Sequence, residues 1–481
     1  MINKFNSGIH ICFLSCFFAC MNRNVRLLFI ALVVLSSRLI FVDAGFGSEE
    51  DAWGYAVNAQ LMEQSHTYEY ARMPGHPVVE YVYSWLPVKE AWIFNICTAL
   101  LSTIAVVFFF LILDRYRLQA VIGSLMLAFT PAFYIHSSDA MDYNWSLCFL
   151  LGSFYFLGKR WLLLSAFFLA LATGCRITAA VAIVPFLYYL FLASESRKNI
   201  FQFLLLTVIL IFLIYAPAIK HYGFSFFDYV NQFGYPPLIK SLYKASFGVW
   251  GTTGLLATGI AIIVSAKEYF RKSYSSAYRP LISSIILLVF LFVILYFFEP
   301  HKSGYLIPVI PFVIVFILLF VKNVIHQIWI CAMLIAGCFF AGINLADDNR
   351  SATPSDFAII KTIHHQKVAF DLLSGSVTDD YKKRWARINY TNKVIDAAGR
   401  LEGKSVIISG YWLNNILIQV QGREKENILF KHYLNRDEMQ KLSLEGFKIY
   451  FIKGQDKDNN RCYKENFTNE MAQLLNTDIR H

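Results

Sequence analysis

Charged residues are scarce in this sequence. Asp, Glu, Lys and Arg make up 16% of its 481 residues, whereas a soluble domain carries about 25%. Hydrophobic residues make up 57% of the chain, and its mean hydropathy is +0.47. This composition argues against an ordinary soluble protein and predicts an integral membrane protein that crosses the bilayer several times.

Several sequence signatures are also missing. The nine Cys form no CxxC pair and no Cys/His ligand spacing, which argues against a disulfide framework and a structural zinc site. There is no nucleotide-binding loop, and no internal repeat supports a transporter built from inverted repeats. The net charge is +10, but without a surface pattern of basic and aromatic residues it does not indicate nucleic-acid binding.

Long apolar runs are abundant. The run at 161–193 is too long for one crossing at about 1.5 Å per residue, and Gly174 and Arg176 interrupt it, so we predict two short helices there. The apolar run inside the N-terminal segment 1–23 is too short to span and indicates an interfacial segment or an over-extended start. The candidate spans, about 10 to 11 in number, lie at 24–43, 92–113, 118–136, 140–158, 161–175, 176–193, 200–219, 246–266, 280–298, 304–321 and 326–345.

Basic residues predict the orientation of these spans. The positive-inside rule places loops rich in Lys and Arg in the cytoplasm, and here those loops lie at 22–26, 114–117, 158–160, 196–199 and 267–279. The remaining loops then lie on the non-cytoplasmic side, at 44–91, 137–139, 219–245 and 299–303. The C-terminal part of the chain ends on that same side.

The composition becomes polar near residue 346. Short apolar runs at 405–409 and 448–452 are typical of strands, and 389–400 has a helical pattern. The predicted fold is an α-helical polytopic membrane protein with a small C-terminal α/β domain outside the membrane. The transmembrane part is predicted at 24–345, its first external loop at 44–91, and the external domain at 346–481.

Three acids, Glu49, Glu50 and Asp51, directly follow the first apolar segment. Carboxylates are costly inside a membrane and well tolerated at its surface. One interpretation is a solvated helix start capped by Ser48. The other is a reactive centre, because a carboxylate at the interface can accept a proton from an attacking hydroxyl.

The first loop continues with a second polar group at 70–80. Pro74-Gly75 predicts a turn, and Pro77 suits the first turn of a helix. His76 and Glu80 are four residues apart, so on a helix they share a face and can hold a sugar or a divalent metal ion. Arg72 can form a two-pronged contact with phosphate. A surface turn with a helix cap is the alternative.

Two further loops and one mid-chain position carry candidate site residues. Charged groups near the centre of a span or at its boundary are functional candidates, although internal pairing or extension of a Lys side chain to the interface is the alternative for Arg176 and Lys302. Asp142 is a stronger candidate than Asp139, because it is expected just inside the membrane boundary. The candidates are Asp139, Asp142, Arg176, His301, Lys302 and Tyr305.

Together these segments resemble the C-type (GT-C) glycosyltransferases, membrane enzymes that use polyprenyl-phosphate-linked sugars. The family includes protein O-mannosyltransferases and bacterial aminoarabinose lipid A transferases. The acidic group departs from the family's usual acidic pair because it reads Glu-Glu-Asp. The resemblance covers about residues 24–345 and rests on the order of four motifs: EDAW at 50–53, YARMPGHP at 70–77, GCRIT at 174–178 and HKSGYLIPVIP at 301–311.

The resemblance implies transfer of a sugar, with inversion, to a lipid, glycan or protein acceptor on the non-cytoplasmic side of a cell inner or plasma membrane. Asp51, or else Glu50, would be the base, and Glu49 a helix start only. No cofactor is certain, and a divalent metal ion is one option. The donor phosphate would contact Arg72, Lys302, Arg176, His301 and Tyr305, while His76, Glu80, Asp142 and Asp139 would position the sugar or a metal ion.

Other classes of membrane protein remain open. A transporter or flippase of a lipid-linked saccharide also needs many spans and interfacial charges. Another membrane transferase, or a polymerase of envelope polysaccharide, needs a different acid/base arrangement, often with His inside a span. A non-catalytic scaffold would act through the C-terminal domain alone.

Overall fold

The structure is a computed structural model of the chain. It describes residues 21–224, 235–271, 278–346, 358–363, 366–463 and 471–474. The predicted interfacial run before Met21 therefore lies outside the described residues. So do parts of the predicted loops at 219–245 and 267–279.

The chain is helical from its first described residues to the start of the C-terminal region. The helices in order are α1 (Arg23–Leu39), α2 (Glu50–Ser65), α3 (Pro77–Trp85), α4 (Ala91–Arg115), α5 (Ala120–Ala128), α6 (Pro131–Ile135), α7 (Tyr143–Gly158), α8 (Leu162–Cys175), α9 (Ile183–Leu192), α10 (Arg197–Tyr222), α11 (Leu238–Ala245), α12 (Phe247–Trp250), α13 (Thr252–Arg271), α14 (Arg279–Phe298), α15 (Ile310–Phe320) and α16 (Val324–Phe339).

Within the described part of the chain, five helical segments are long and apolar enough to cross a membrane. They are α4, α10, α13, α14 and Ser303–Phe320, which joins a 3-10 helix at Ser303–Val309 to α15. Shorter apolar helices lie at Leu162–Cys175, Ile177–Leu192 and Val324–Phe339. These segments support the prediction of a membrane protein on length and composition.

The predicted break in 161–193 is confirmed. α8 ends at Cys175, Arg176 has an extended backbone, and a 3-10 helix at Ile177–Ala182 leads into α9. Gly174 allows α8 to pack closely, because a Cβ there would lie 2.6 Å from methyl groups of both Val78 and Ile214. Arg176 therefore lies at the junction of two short helices, beside α3 and α10.

Other predicted spans are interrupted or shorter than expected. The predicted span 118–136 is wrong as a single helix, because Pro131 lacks an N–H and disfavours helical backbone in Thr130, so α5 and α6 are separate. The segment 246–266 is likewise divided at Gly251, whose φ is +67°. The segment 326–345 ends as a helix at Phe339, and a strand follows it.

The C-terminal region contains two small sheets. β1 (Gly342–Ala346), β2 (Ile359–Ile363) and β3 (Gln366–Asp371) form an antiparallel sheet in the order β1-β3-β2. The second sheet is parallel and has the order β5-β4-β6-β7, with β4 (Ser405–Ile408), β5 (Ile428–Lys431), β6 (Lys448–Phe451) and β7 (Ala472–Gln473). The helices of this region are α17 (Ser376–Ala398), α18 (Leu413–Gln419), α19 (Arg436–Leu444) and α20 (Gln455–Tyr463).

The parallel sheet is buried on both faces, as parallel sheets usually are. Ile407 packs into one apolar cluster with residues of α17 and α18, while Val406 and Ile408 pack into a second cluster with Met439 of α19. The strands predicted at 405–409 and 448–452 are confirmed as β4 and β6. The helix predicted at 389–400 is the last part of the longer α17.

The C-terminal region packs against the first loop. Arg384 of α17 is 2% exposed, and it donates hydrogen bonds to the carbonyls of Ser138 (2.5 Å) and Ile135 (3.1 Å). Asp380 pairs with Arg384 at 2.6 Å and accepts a hydrogen bond from Ser48 at 2.6 Å. α17 therefore binds both the loop before α2 and the segment before α7.

Candidate active site

The acids before and at the start of α2 are held by a compact loop. Asn95 donates 2.8 Å hydrogen bonds to the carbonyls of Val42 and Gly45, and the indole of Trp53 donates to Gly47 at 2.9 Å. A Cβ on Gly47 would lie 2.9 Å from the Cβ of Ala52, so glycine permits this tight approach. The acids favour the helix start, where partial positive charge accumulates.

Asp51 lies between two cations from distant parts of the chain. Arg72 and Lys302 both donate short hydrogen bonds to its Oδ2. Lys302 also contacts Oε2 of Glu49 at 2.6 Å. The side chains of Asp51 and Lys302 are 28% and 23% exposed, so a ligand from outside can reach them.

Asp142 extends this cluster inward. Its side chain is fully buried, and it accepts from Arg72 at 2.7 Å and from Arg176 at 2.5 Å. A buried carboxylate is stable only when it is well paired, and here two guanidinium groups share it. The chain of contacts Lys302–Asp51–Arg72–Asp142–Arg176 joins four segments that are far apart in sequence.

Aromatic rings surround the Arg176 guanidinium. Its carbon lies 4.4 Å from the ring centroid of Tyr143 and 4.8 Å from that of Tyr305. Cations are attracted to aromatic faces, most strongly where water is excluded. Arg176 is therefore fixed both by its charge partner and by the two rings.

The charges of this cluster determine the protonation of its groups. Burial opposes ionisation of Asp51, but Lys302 and Arg72 outweigh it and hold the pKa of Asp51 well below its ordinary value. Burial likewise acts against the charge of Lys302, yet Asp51 and Glu49 keep its pKa well above the ordinary value. Both groups are therefore charged at neutral pH, and Asp51 is an ionised carboxylate bound by two cations.

His76 and Glu80 fasten the loop in front of α3. The carboxylate of Glu80 accepts hydrogen bonds from the Tyr68 hydroxyl (2.6 Å), the Ala71 N–H (2.8 Å) and the His76 N–H (2.9 Å). Burial raises the pKa of Glu80 to about 7 and lowers that of His76 to about 3. The His76 ring is thus neutral, with its Nε2 3.6 Å from Asp142.

Four buried polar atoms around Asp142 have no hydrogen-bond partner among the described residues. They are the hydroxyls of Tyr55 and Tyr143, Nε of Arg72 and Nδ1 of His76. Buried polar groups are normally satisfied, so unsatisfied groups indicate a place for water or a ligand. They lie beside the charged cluster, where polar groups of a substrate would have partners.

Asp139 and His301 lie apart from the charged cluster's centre. Asp139 pairs with His136 at 2.8 Å, in the segment whose backbone carbonyls bind Arg384. His301 accepts a hydrogen bond from Lys244 through its carbonyl, and burial followed by nearby lysines lowers the pKa of its ring. Tyr305 instead reaches the cluster, because its ring contacts Arg176.

The contacts of Glu49 and Glu50 differ from those that the sequence predicts: Glu49, not Glu50, shares Lys302 with Asp51. Glu49, interpreted as a helix start only, contacts Lys302. Glu50, the second candidate for the base, points toward the C-terminal region, with Oε1 3.4 Å from Nδ2 of Asn414. The sequence motif alone does not indicate which way each acid turns at a helix start.

Three residues at or near the candidate site are absent from the set that the sequence predicts: Tyr55, Tyr143 and Arg384. Tyr55 and Tyr143 were within apolar or helical runs and gave no separate signal. Arg384 follows Asp380 by four residues on a helical pattern, which predicts a local ion pair but not its contact with the 135–138 backbone.

The sequence matches no known protein-family model and none of the curated proteins compared with it. In the part of the chain that the structure describes, no group of three or more His, Cys, Asp or Glu side chains is arranged to hold a metal ion.

Proposed function

We propose that the chain is a multi-pass membrane glycosyltransferase of the GT-C type. In this proposal it transfers a hexose or pentose from a polyprenyl-phosphate donor to an acceptor hydroxyl on the non-cytoplasmic side. The observation that carries the proposal is the accessible carboxylate of Asp51, which forms ion pairs with Lys302 and Arg72. A base for the acceptor and cations for the leaving phosphate are the two requirements of this reaction.

The proposed reaction is one displacement at the anomeric carbon. The acceptor oxygen forms a bond to that carbon while the bond from the carbon to the phosphate oxygen breaks, which inverts the configuration. The proton of the acceptor hydroxyl passes to the Asp51 carboxylate. The electron pair of the broken bond stays on the prenyl phosphate, whose charge Lys302 and Arg72 stabilise.

The same two cations would also control the strength of the base. While they bind Asp51 they hold its pKa low, and a strongly acidic carboxyl is a weak base. A donor phosphate competes for Lys302 and Arg72, which weakens their hold on Asp51. Donor binding would therefore raise the basicity of Asp51 when an acceptor is needed.

Asp142 and Arg176 would act as supports for this arrangement. Asp142 holds Arg72 and Arg176 in fixed positions, and rigid placement of charged groups reduces the cost of reorganisation during reaction. The hydroxyls of Tyr55 and Tyr143, which bind no other group in the described part of the chain, are candidates for contact with the sugar. Glu80, which already accepts three hydrogen bonds from its own loop, would act by holding that loop.

Transfer assays with single variants test the base. A panel of radiolabelled polyprenyl-phosphate hexoses and pentoses serves as donor, and extracted membrane lipids and glycans serve as acceptors. We expect Asp51→Asn to lower transfer by about 100-fold or more, because a general base contributes roughly 10²–10⁴-fold. Glu50→Gln should have a smaller effect, since its side chain contacts Asn414.

Glu63→Gln is the matched control, because Glu63 lies on the same helix with a side chain 57% exposed. Full activity in both Asp51→Asn and Glu50→Gln would refute the assignment of the base. Translocation of the donor across liposomes without formation of a covalent product would instead support a flippase.

A further inference from the structure

We propose a saccharide-binding site at the junction of the first loop and the C-terminal region, separate from the Asp51 cluster. An open cavity of about 410 Å³ lies there. It is bounded by the loop between α1 and α2, the start of α4, and helices α17 and α18. A volume of this order is within the range of small-ligand sites, which are frequent at junctions between domains.

The side chains of the cavity suit a ligand rich in hydroxyl groups. Trp92 is 50% exposed, and an indole offers an apolar face against which a sugar ring can pack. Asp43, Asn392 and Arg423 supply a carboxylate, an amide and a guanidinium. Planar polar groups beside an aromatic face can bind several hydroxyls without requiring a net charge on the ligand.

Gln419 gives the most direct indication of the chemistry that the cavity binds. Both its amide oxygen and its amide nitrogen are buried without a hydrogen-bond partner among the described residues, and the residue lines the cavity. Leaving both atoms of a buried amide without a hydrogen bond is unfavourable, because neither atom recovers the bonds that it made to water. A hydroxyl-bearing ligand can satisfy both atoms, because a hydroxyl donates and accepts.

The occupant we favour is a neutral oligosaccharide. Asp43 and Glu90 on the cavity wall disfavour an anionic lipid head group, because only Arg423 offers a positive charge there. Trp53 lines the cavity and lies two residues after Asp51, so the site is next to the candidate base in sequence. That the bound saccharide is the acceptor of transfer rests on the proposed function, whereas saccharide binding itself does not.

Saturation-transfer NMR on the full chain in nanodiscs tests the site. The probes are a set of free neutral oligosaccharides of hexoses and N-acetylhexosamines. We expect binding that Gln419→Leu and Trp92→Ala each weaken by about tenfold, as expected for loss of one or two hydrogen bonds or of a ring contact. Trp329→Ala is the control, because Trp329 is 61% exposed on α16 and does not line the cavity.

Several results would overturn the site. No binding by any probe would do so, as would binding that neither Gln419→Leu nor Trp92→Ala weakens. Preferential binding of vesicles containing anionic lipid, lost in the same variants, would replace the saccharide by a lipid head group. Asp51→Asn separates this proposal from the transferase, because we expect it to lower transfer by about 100-fold or more and to leave oligosaccharide binding intact.

Discussion

At the scale of single residues, the candidate site is a set of paired charges in which each member depends on the others. Arg72 contacts both Asp51 and Asp142, and Lys302 contacts both Asp51 and Glu49. The inner part is buried and the outer part is accessible. Substitutions should therefore affect stability at the inner end and reactivity at the outer end.

Loss of Asp142 should destabilise the protein. Asp142→Ala leaves two guanidinium groups without their shared carboxylate, and breaking a buried ion pair costs about 3–5 kcal/mol. Thermal unfolding in detergent measures the effect. Asp114→Ala is the control, because its pair with Arg23 is partly exposed and should contribute less than about 1 kcal/mol. Equal unfolding temperatures for the two variants would contradict the assigned burial.

The buried, neutral His76 predicts a pH dependence. Its pKa is about 3 in the folded protein and about 6.5 when unfolded, so between these values the unfolded chain binds the additional proton. The free energy of unfolding should fall as the pH drops below about 6.5, by up to about 1.4 kcal/mol per pH unit for this group.

Unfolding between pH 7.5 and 5.5 checks this expectation. Glu80, whose pKa is raised to about 7 by burial, contributes in the opposite direction over that interval, so the measured quantity is the difference in free energy of unfolding between the wild-type protein and His76→Gln, which should shrink as the pH falls. His326→Gln serves as the control, because His326 is exposed near the start of α16. The same pH dependence in wild-type protein and His76→Gln would exclude His76 as its source.

At the scale of secondary-structure elements, interruptions of helices place the functional side chains. Arg176 lies between α8 and the 3-10 helix that follows, and Lys302 directly precedes the 3-10 helix at Ser303–Val309. At a helix junction the backbone changes direction, so a side chain there need not lie on the apolar face of either helix. Both breaks thus allow a charged side chain to reach the same cluster of paired charges.

Gly174 tests how closely α8 must pack. Gly174→Ala would place a Cβ 2.6 Å from methyl groups of Val78 and Ile214, and overpacking typically costs about 1–3 kcal/mol. We expect lower thermal stability and weaker transfer, because Arg176 is two residues away. Gly259→Ala on α13 is the matched control: its Cβ meets nothing within 4 Å, so it should be neutral or stabilising. Equal effects of the two substitutions would contradict the close contact.

The sequence predicted some elements well and others poorly. The Arg176 break and the strands β4 and β6 carry local signals, namely a charge within an apolar run and short apolar segments between polar ones. The two-part form of 118–136 was missed although Pro131 marked it. The predicted span 326–345 included most of the strand β1, because the apolar run continues from the helix into the strand without a change in composition.

The candidate site was predictable in its members more than in its geometry. Charges at membrane boundaries, in the first external loop and within an apolar run identified Asp51, Arg72, Asp142, Arg176 and Lys302, which the structure brings together. The orientation of Glu49 and Glu50 depends instead on how α18 packs against α2, a contact between residues hundreds of positions apart. The role of Arg384 depends on the same kind of distant packing.

At the scale of the whole molecule, the C-terminal region is joined to the helical part by polar contacts. Arg387 contacts the carbonyl of Tyr411 at 2.6 Å and Asn415 at 2.8 Å, and it reaches the carbonyl of Ser48 at 3.3 Å. Together with Arg384, it links α17 to α18 and to the loop before α2. The region that bears the sheets therefore forms one wall beside the candidate site.

Arg384 should control this attachment. Arg384→Ala removes the hydrogen bonds to Ser138 and Ile135 and leaves Asp380 without its cation. We expect faster proteolytic cleavage in the C-terminal region and at least a several-fold loss of transfer. Arg400→Ala, at an exposed position after α17, is the control. Unchanged cleavage in Arg384→Ala would indicate that apolar packing alone holds the region.

The contact of Lys302 with Asp51 spans 251 residues, and this has a consequence for biosynthesis. Chains grow at about 5–20 residues per second, so Asp51 is synthesised roughly 13–50 seconds before Lys302. During that interval Asp51 has Arg72 as a partner but lacks Lys302, and Glu49 lacks its contact with Lys302. The site is therefore assembled late, and any chain that terminates before Lys302 lacks it even when its earlier helices have inserted.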